Sequence, residues 1–464
     1  MAIDLAQEHV PHANVAPSLG EATRVWLRIG LLGFGGPAGQ IALMHRELVE
    51  ERKWIGEHRF LHALNYCMLL PGPEAQQLAI YIGWLLHRTV GGLIAGTLFV
   101  LPGALVMLGL SILYTSYRHL PLIDAAFFGI KAAVVAIVVE AVWRIGKRAL
   151  KNQIMFVIAA GAFVGIYVFA IPFPLIVLFA GILGLAGCQA APSYFDGSKT
   201  SVGSESADGN NVIDRMFVGG ELSHVTPKSA FAIGVLLIGG ALWLGPLLLL
   251  WILTGHGSVW TQIGTFFSGM ALVTFGGAYA VLAYVAQAAV ETFGWLRPGE
   301  MADGLGLAET TPGPLVLVLQ FVGYLAAYRT PGLLSPILAG CLGALLTTWV
   351  TFAPCFIWIF LGAPYVEKLR NNKAARSALS SITAAVVGVV ANLALWFALH
   401  VLFRHTTELK FPWGGVEIPV WSSLDWRAAV IAIAAMMAML RFKIGMLPVL
   451  AVCTALGVLL VAFN

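Results

Sequence analysis

Two Pro-Gly-Pro triplets stand inside apolar stretches, each flanked by side chains able to hold an anion. Around Pro71, Gly72 and Pro73 lie Asn65, Glu74, Gln76 and Gln77; around Pro312, Gly313 and Pro314 lie Glu309, Thr310, Thr311 and Gln320. Amide and hydroxyl donors suit an oxyanion, and Thr310 and Thr311 stand where a helix cap would. A carboxylate repels a dianion unless it is protonated, so Glu74 and Glu309 read as proton carriers rather than ligands. For Glu74 a second reading stands equally beside the first, an acidic residue that stabilises a helix N-terminus. Arg28, Lys131 and Glu140 lie deep in apolar segments, with Asp124 and His400 nearer the ends. Ionisable residues at such depth are functional candidates by default: Arg28 to neutralise an anion, Lys131 to bind it, Glu140 to carry a proton. Lys131 and Glu140 are too far apart in sequence to pair along one helix face, so each needs a partner elsewhere. Snorkelling or a structural ion pair is the competing reading for all three.

These residues need elements that break at membrane depth. Unpaired backbone groups are costly in lipid, so a helix breaker there implies a protein-lined or wet cavity. The triplets are such breakers, as are Gly35-Gly36-Pro37 and Gly276-Gly277, which follow Phe34 and Phe275. Glycine supplies unusual backbone angles, and a proline just after it suits the first turn of a new helix. Half-helices are expected to start at Pro73 and Pro314, with Pro37 a third candidate. Each start exposes free N–H groups and about half a positive charge, and two of them meeting in a dry cavity favour an anion. Glycine and proline that merely kink packed helices are the alternative.

Recurrence in order weakens that alternative. Phe34-Gly35-Gly36 returns as Phe275-Gly276-Gly277, Trp54 as Trp295 and the first triplet as the second, all at one offset; Pro102 returns as Pro354 and Ala132-Ala-Val-Val135 as Ala384-Ala-Val-Val387 at a slightly larger one. One short insertion reconciles the two offsets. The chain is an internal duplication, and an odd number of spans between the copies makes them enter the membrane from opposite sides. Inverted-topology repeats mark secondary transporters, with substrate near the midplane where the halves meet.

Composition agrees. Of 464 residues 59% are hydrophobic and 11% charged, against about 45–50% and about 25% in soluble domains. Too few polar side chains exist to coat water-facing domains of this size. The fold class expected is an all-α polytopic membrane protein of two inverted repeats with broken or re-entrant helices, about 13 membrane segments in all. Spans are read near 24–44, 62–86, 91–114, 122–143, 153–169, 171–188, 230–253, 260–288, 305–328, 333–362, 378–403, 426–440 and 444–463. The domains follow: a tail (1–23) without the character of a cleavable signal, a first repeat (24–188), a flexible cytoplasmic linker (189–229), an extra span (230–253) and a second repeat (254–464). Lys and Arg in the loops favour a cytoplasmic N-terminus. The first loop, with Arg46, Arg52, Lys53 and Arg59, dissents, and reads as an interfacial helix or the end of a re-entrant segment. The net charge of +4 is far from a nucleic-acid binder. Cys67, Cys188, Cys341, Cys355 and Cys453 are scattered, without metal-site or disulfide spacing, so neither metal nor cofactor is expected. No HExxH, GxSxG or Walker lysine loop points to an enzyme or an ATP-driven pump.

The runs Phe34-Gly-Gly-Pro-Ala-Gly-Gln-Ile-Ala-Leu-Met44, Glu50-Glu-Arg-Lys-Trp54 and Leu70-Pro-Gly-Pro-Glu-Ala-Gln-Gln-Leu-Ala-Ile80, with the Leu101-Pro102 span, resemble the chromate ion transporters in their long, two-repeat form. That resemblance implies proton-coupled antiport of chromate out of the bacterial cytoplasm across the inner membrane, giving chromate resistance, with a homodimer as a further expectation. Sulfate, also a tetrahedral dianion, is the alternative substrate in either direction, and an anion channel the alternative class. The second repeat departs from the pattern: Ala278 stands where Pro37 would recur and Leu315 where Glu74 would.

Overall fold

The computed structural model describes residues 16–190, 195, 211–218, 225, 228–275, 278–365, 373–412 and 414–462. Helix α1 (Leu19–Leu32) begins where Ser18 Oγ accepts from the amide of Glu21 and ends at Gly33. After the break, α2 (Gly36–His45) starts with Pro37 in its first turn, behind Gly35 at φ 86° and Gly36 at φ 67°. It continues into a π-turn over Arg46–Glu51. Helix α3 (Glu57–Cys67) leads to the first triplet, and α4 (Glu74–Tyr117) starts directly after Pro73.

Helix α4 spans 44 residues but is a hairpin. At His87 and Arg88 the backbone leaves helical angles, Arg88 taking φ 55°. Beyond that point Gly91 lies so close to Gly83 that a methyl on Gly83 would stand 2.5 Å from the Gly91 carbonyl. Small residues facing each other let two backbones approach, the usual device of helix packing in lipid.

Next come α5 (Pro121–Ala149), α6 (Gln153–Tyr167), α7 (Phe173–Ala190), the short α8 (Val212–Val218) and α9 (Ser229–Thr254). The second copy follows with α10 (Val259–Val273), α11 (Ala278–Gln287), a π-turn at Ala288–Thr292, α12 (Glu300–Glu309), a 3-10 turn at Leu315–Leu317, α13 (Val318–Arg329), α14 (Pro336–Gly362) and α15 (Lys373–Leu402). A hairpin of β1 (Thr406–Phe411) and β2 (Gly414–Pro419), paired Thr406 to Pro419, precedes α16 (Trp426–Leu440) and α17 (Met446–Ala462). Nothing in the sequence reading anticipated that hairpin. Six helices among the described residues are long and apolar enough to cross a membrane: α4, α5, α7, α9, α14 and α15. The spans read at 24–44, 62–86, 260–288 and 305–328 are each broken part-way, as their glycines and prolines require.

The duplication is visible in the backbone. Both copies have a helix, a break, a helix ending in a π-turn, a helix, a Pro-Gly-Pro break and a helical hairpin. In the second hairpin Gly323 and Gly343 make the close approach, a methyl on Gly343 falling 2.5 Å from the Gly323 carbonyl. The extra residues of the second copy sit in the longer turn between α13 and α14.

The helices form two groups, and each draws on both copies. In one, α1 packs on α4, α4 on α13 and α14, and α10 on α13 and α14. In the other, α5 packs on α15, α16 and α17, while α15 packs on α6 and α7. The copies therefore exchange partners: the central helix of each lies against the terminal helices of the other. Gly129 meets the Cys453 backbone and Gly388 the Ala159 backbone at these crossings. Helix α9 stands outside, with Trp243 its buried residue and the Trp349 Nε1–H donating to its Leu242 carbonyl at 2.9 Å. A nearly all-apolar helix with little of its surface buried suits lipid.

Part of the stretch read as a flexible linker is folded. The Val212 and Ile213 amides donate to the carbonyls of Lys53 and Trp54 at 3.1 and 3.0 Å, Ile213 is wholly buried, and Arg59 Nε donates to Asp214 Oδ1 at 2.7 Å. A few apolar side chains and two amides suffice to dock a segment whose composition looks polar. The rest of 189–229 lies almost wholly outside the described residues, as do Gly276 and Gly277.

Candidate translocation site

The four breaks meet at one place, crosswise. The Gly72 amide donates to the Thr274 carbonyl at 2.8 Å, and the Gly313 amide donates to the Gly33 carbonyl at 2.9 Å. Gly313 is the repeat of Gly72 and Thr274 the repeat of Gly33, so the two bonds are one contact made twice. That reciprocity is what a two-fold relation produces. Each Pro-Gly-Pro break closes on the Phe-Gly-Gly break of the other copy. Local turns match too: the Phe34 amide donates to the Leu32 carbonyl at 2.9 Å and Phe275 to Val273 at 3.0 Å.

Glycine is needed where the copies touch. Gly72 has φ 120° and Gly313 φ 93°, angles side chains rarely adopt. A methyl on Gly103, after the α4 proline, would stand 2.0 Å from the Pro312 carbonyl. Cys355, after the α14 proline, takes the matching place, its Sγ 2.8 Å from where a methyl on Gly72 would be.

The glutamines serve the backbone. Gln40 Nε2 donates to the Gly33 carbonyl at 3.2 Å and to that of Gly313, bridging the copies. Gln77 Nε2 donates to Pro71 at 2.7 Å and Gln320 Nε2 to Ala104 at 2.8 Å. The amides expected to face an oxyanion are thus spent on carbonyls freed by the breaks, which is what a broken helix needs first. The carbonyl oxygens of Gln40, Gln76, Gln77 and Gln320 are buried without a hydrogen-bond partner. Thr310 and Thr311 do not cap the following helix: both hydroxyls turn back to the Leu307 carbonyl, at 2.8 and 2.7 Å. Hydroxyls one turn past a carbonyl take that nearer acceptor. Free donors remain at the start of α4 and at the 3-10 turn after Pro314, whose first amides lack intrahelical acceptors.

The charged candidates separate. Glu74 is half-buried in the first turn of α4. Glu309 is buried at the end of α12 and accepts from Tyr279 Oη at 2.6 Å. Glu140 pairs with Arg144 on its own helix at 3.7 Å. Lys131 finds its distant partner in Asp303, Nζ to Oδ1 3.9 Å. Arg28 is exposed and turned to Glu47 at 3.3 Å, so the charge it neutralises is the protein's own, wholly buried carboxylate. Asn65 is exposed on α3. Asp124 holds Arg118, and His400 Nε2 lies 3.5 Å from Glu417. The junction therefore gathers Phe34, Gly35, Gly36, Pro37, Pro71 to Pro73, Gln76, Gln77, Phe275, Pro312 to Pro314 and Gln320. Arg28, Asn65, Lys131 and Glu140 do not belong to its hydrogen-bond network.

Residues 20–185 and 261–458 match the family model described as Chromate transporter, one block on each repeat. The chain belongs to the chromate transporter family. Among its relatives, the chromate transport protein of Pseudomonas aeruginosa is 33% identical over 397 residues, 84% of this chain and 82% of that one. The chromate transport protein of Cupriavidus metallidurans is 29% identical over 380 residues, 82% of each. An uncharacterized transporter of Bacillus subtilis is 33% identical over 133 residues, 28% of this chain but 67% of its own. No solved structure matches.

This member of the family is a multi-pass membrane protein. Within it, sequence reasoning missed Gly33, Gln40, Thr274, Tyr279, Gly103 and Cys355. Gly33 and Thr274 were one position from quoted motifs at the offset already in hand, and Gly103 and Cys355 directly follow the matched prolines. Tyr279 and Asp303 had no such signal; only folding brings them to Glu309 and Lys131.

Proposed function

We propose that this chain exports chromate from the bacterial cytoplasm across the inner membrane by antiport with protons, its N-terminus on the cytoplasmic side. The reciprocal bonds at the junction carry the reading: two inverted copies close on each other through breaks whose free amides favour an oxyanion. The amide–carbonyl pairs that close the junction are each worth roughly 1 kcal/mol net, so they can part on one face as they form on the other. Glu309, buried and held by Tyr279, is the coupling carboxylate; Glu74 stabilises the start of α4. Chromate and sulfate share charge and shape, so sulfate competes for the same donors.

Everted membrane vesicles that contain the protein should accumulate labelled chromate when energised, lose it on adding a protonophore, and take up less with excess sulfate. No energy-dependent accumulation would overturn the proposal. Accumulation indifferent to the protonophore would make the protein a passive channel instead.

A further inference from the structure

Asp303 is 1% exposed, and three groups from the other repeat surround it. Tyr114 Oη donates to its Oδ2 at 2.9 Å, Arg118 Nη2 stands 3.8 Å from that oxygen and Lys131 Nζ 3.9 Å from Oδ1. Both cations are beyond hydrogen-bond length. Asp303 Oδ1 and Arg118 Nε are buried without any hydrogen-bond partner. The walls are aromatic: Tyr114 packs edge-on against Phe127 and Phe321, and Arg118 lies over Phe127 at 5.3 Å. Other nearby charges are taken or shielded. Asp124 holds the outer arm of Arg118 at the surface, Glu300 pairs with Arg329 at 2.7 Å, the Tyr324 hydroxyl meets Thr115, and α17 brings no charged side chain. Two cations and a phenol thus converge on a carboxylate they hold loosely, and a loosely satisfied buried pair gains little.

We propose that Arg118, Lys131 and Tyr114 form a second station for the transported oxyanion, where the Asp303 carboxylate is the resident occupant that a dianion displaces. The proposal rests on the chromate reading above. As the anion arrives, Asp303 takes a proton from hydronium at the open edge of the cluster, where Arg118 and Lys131 are about a quarter exposed (26% and 24%). Tyr114 then donates to the anion, and the cations face it in place of Asp303. On departure the proton returns to water and the carboxylate re-pairs. The Asp303 O–H bond forms as a hydronium O–H bond breaks, and the exchange reverses on departure. Arg118, which caps the end of α4, follows Gly103 by fifteen residues, roughly 22 Å at helical rise, so the station lies at the end of the helix that leads away from the junction. The positions matching Lys131 and Asp303 are Thr383 and His62, so the other copy has no such station.

Equilibrium binding of labelled chromate to the purified, reconstituted full chain tests this between about pH 6 and about pH 8, with each variant read as a ratio to wild type so that chromate's own protonation cancels. Asp303→Asn should bind about tenfold tighter than wild type at the alkaline end and converge with it at the acid end, and Lys131→Met should bind about tenfold weaker, with Lys131→Arg restoring affinity. An Asp303→Asn protein whose ratio to wild type stays near one across the range overturns the station. If that variant does not assemble, unchanged affinity in Lys131→Met overturns it equally. A wild-type protein that binds no chromate at any pH overturns the chromate reading instead.

Discussion

The two copies build the same junction from different materials. Their backbones match bond for bond, Gly72 to Thr274 and Gly313 to Gly33. Their side chains do not: Gln40 supports a break in each copy and Gln77 the first copy's Pro71, and the equivalent positions hold Val281 and Val318. Where the α4 limb needs Gly103, α14 tolerates Cys355. Beside its Pro-Gly-Pro break the second copy has a buried carboxylate, Glu309 on Tyr279, where the first has Met68 and Ala38. Duplication preserved the geometry that closes the junction, while its polar chemistry was divided between the halves. The first copy supplies two of the three glutamines that satisfy carbonyls at the junction; the second supplies the glutamate held by a tyrosine.

Substitutions at matched positions sharpen or break that contrast. The largest effect is expected at Gly103. Gly103→Ala drives a methyl into the Pro312 carbonyl, an overpacking that costs about 3 kcal/mol or more, and uptake should fall below about a tenth of wild type. Cys355→Ala, its counterpart, creates no contact and should retain at least about half. Equal losses would mean that the halves are equally constrained.

Next is the division of the carboxylates. Glu309→Gln should abolish gradient-driven uptake in vesicles and leave chromate exchange at equilibrium measurable. Glu74→Gln should lower both only about twofold, the weight of one acidic residue at a helix start, about 0.3–1 kcal/mol. The opposite pattern would assign coupling to the first copy.

The glutamines follow. Gln40→Leu removes the donor for two carbonyls, one from each copy, and should cost about 1–3 kcal/mol, read as a lower Tm by detergent thermal scanning. Gln77→Leu, serving Pro71 alone, should shift Tm less. The smallest effect concerns how each copy fixes its third helix. Arg59 near the start of α3 reaches Asp214 in the docked segment, whereas Glu300, the matching residue at the start of α12, reaches Arg329 within its own copy. Asp214→Ala breaks a pair about a quarter exposed on each side, worth about 0.2–1 kcal/mol, and transport should change by less than about a third.

Much of this was legible in the residues. The breaks, the helix starts at Pro37 and Pro73, and the two offsets follow from local rules: glycine permits left-handed angles, proline opens a helix, and a duplicated stretch keeps both; after Pro314 the chain instead takes the 3-10 turn Leu315–Leu317 before α13. Which break meets which was not legible, because the pairing joins Gly72 to Thr274 across some two hundred residues and leaves no periodic trace. The role of the glutamines was misjudged for a related reason. An amide beside a break looks free until the carbonyls that the break exposes are counted. Asp303 escaped notice in a short polar helix, where one acid among others signals nothing until Lys131 and Tyr114 fold against it. The docking of Val212–Val218 depends on two amides, a few apolar side chains and the Arg59–Asp214 pair, too little to stand out from a polar linker.

The central claim is that the transported dianion sits where the four breaks meet. An anomalous difference map at the chromium edge, from crystals grown with chromate, tests it most directly. The account predicts a peak within hydrogen-bond reach of the first amides of α4 and of the Leu315–Leu317 turn. A peak confined to the Arg118–Lys131 cluster, or none between the two copies, would contradict it.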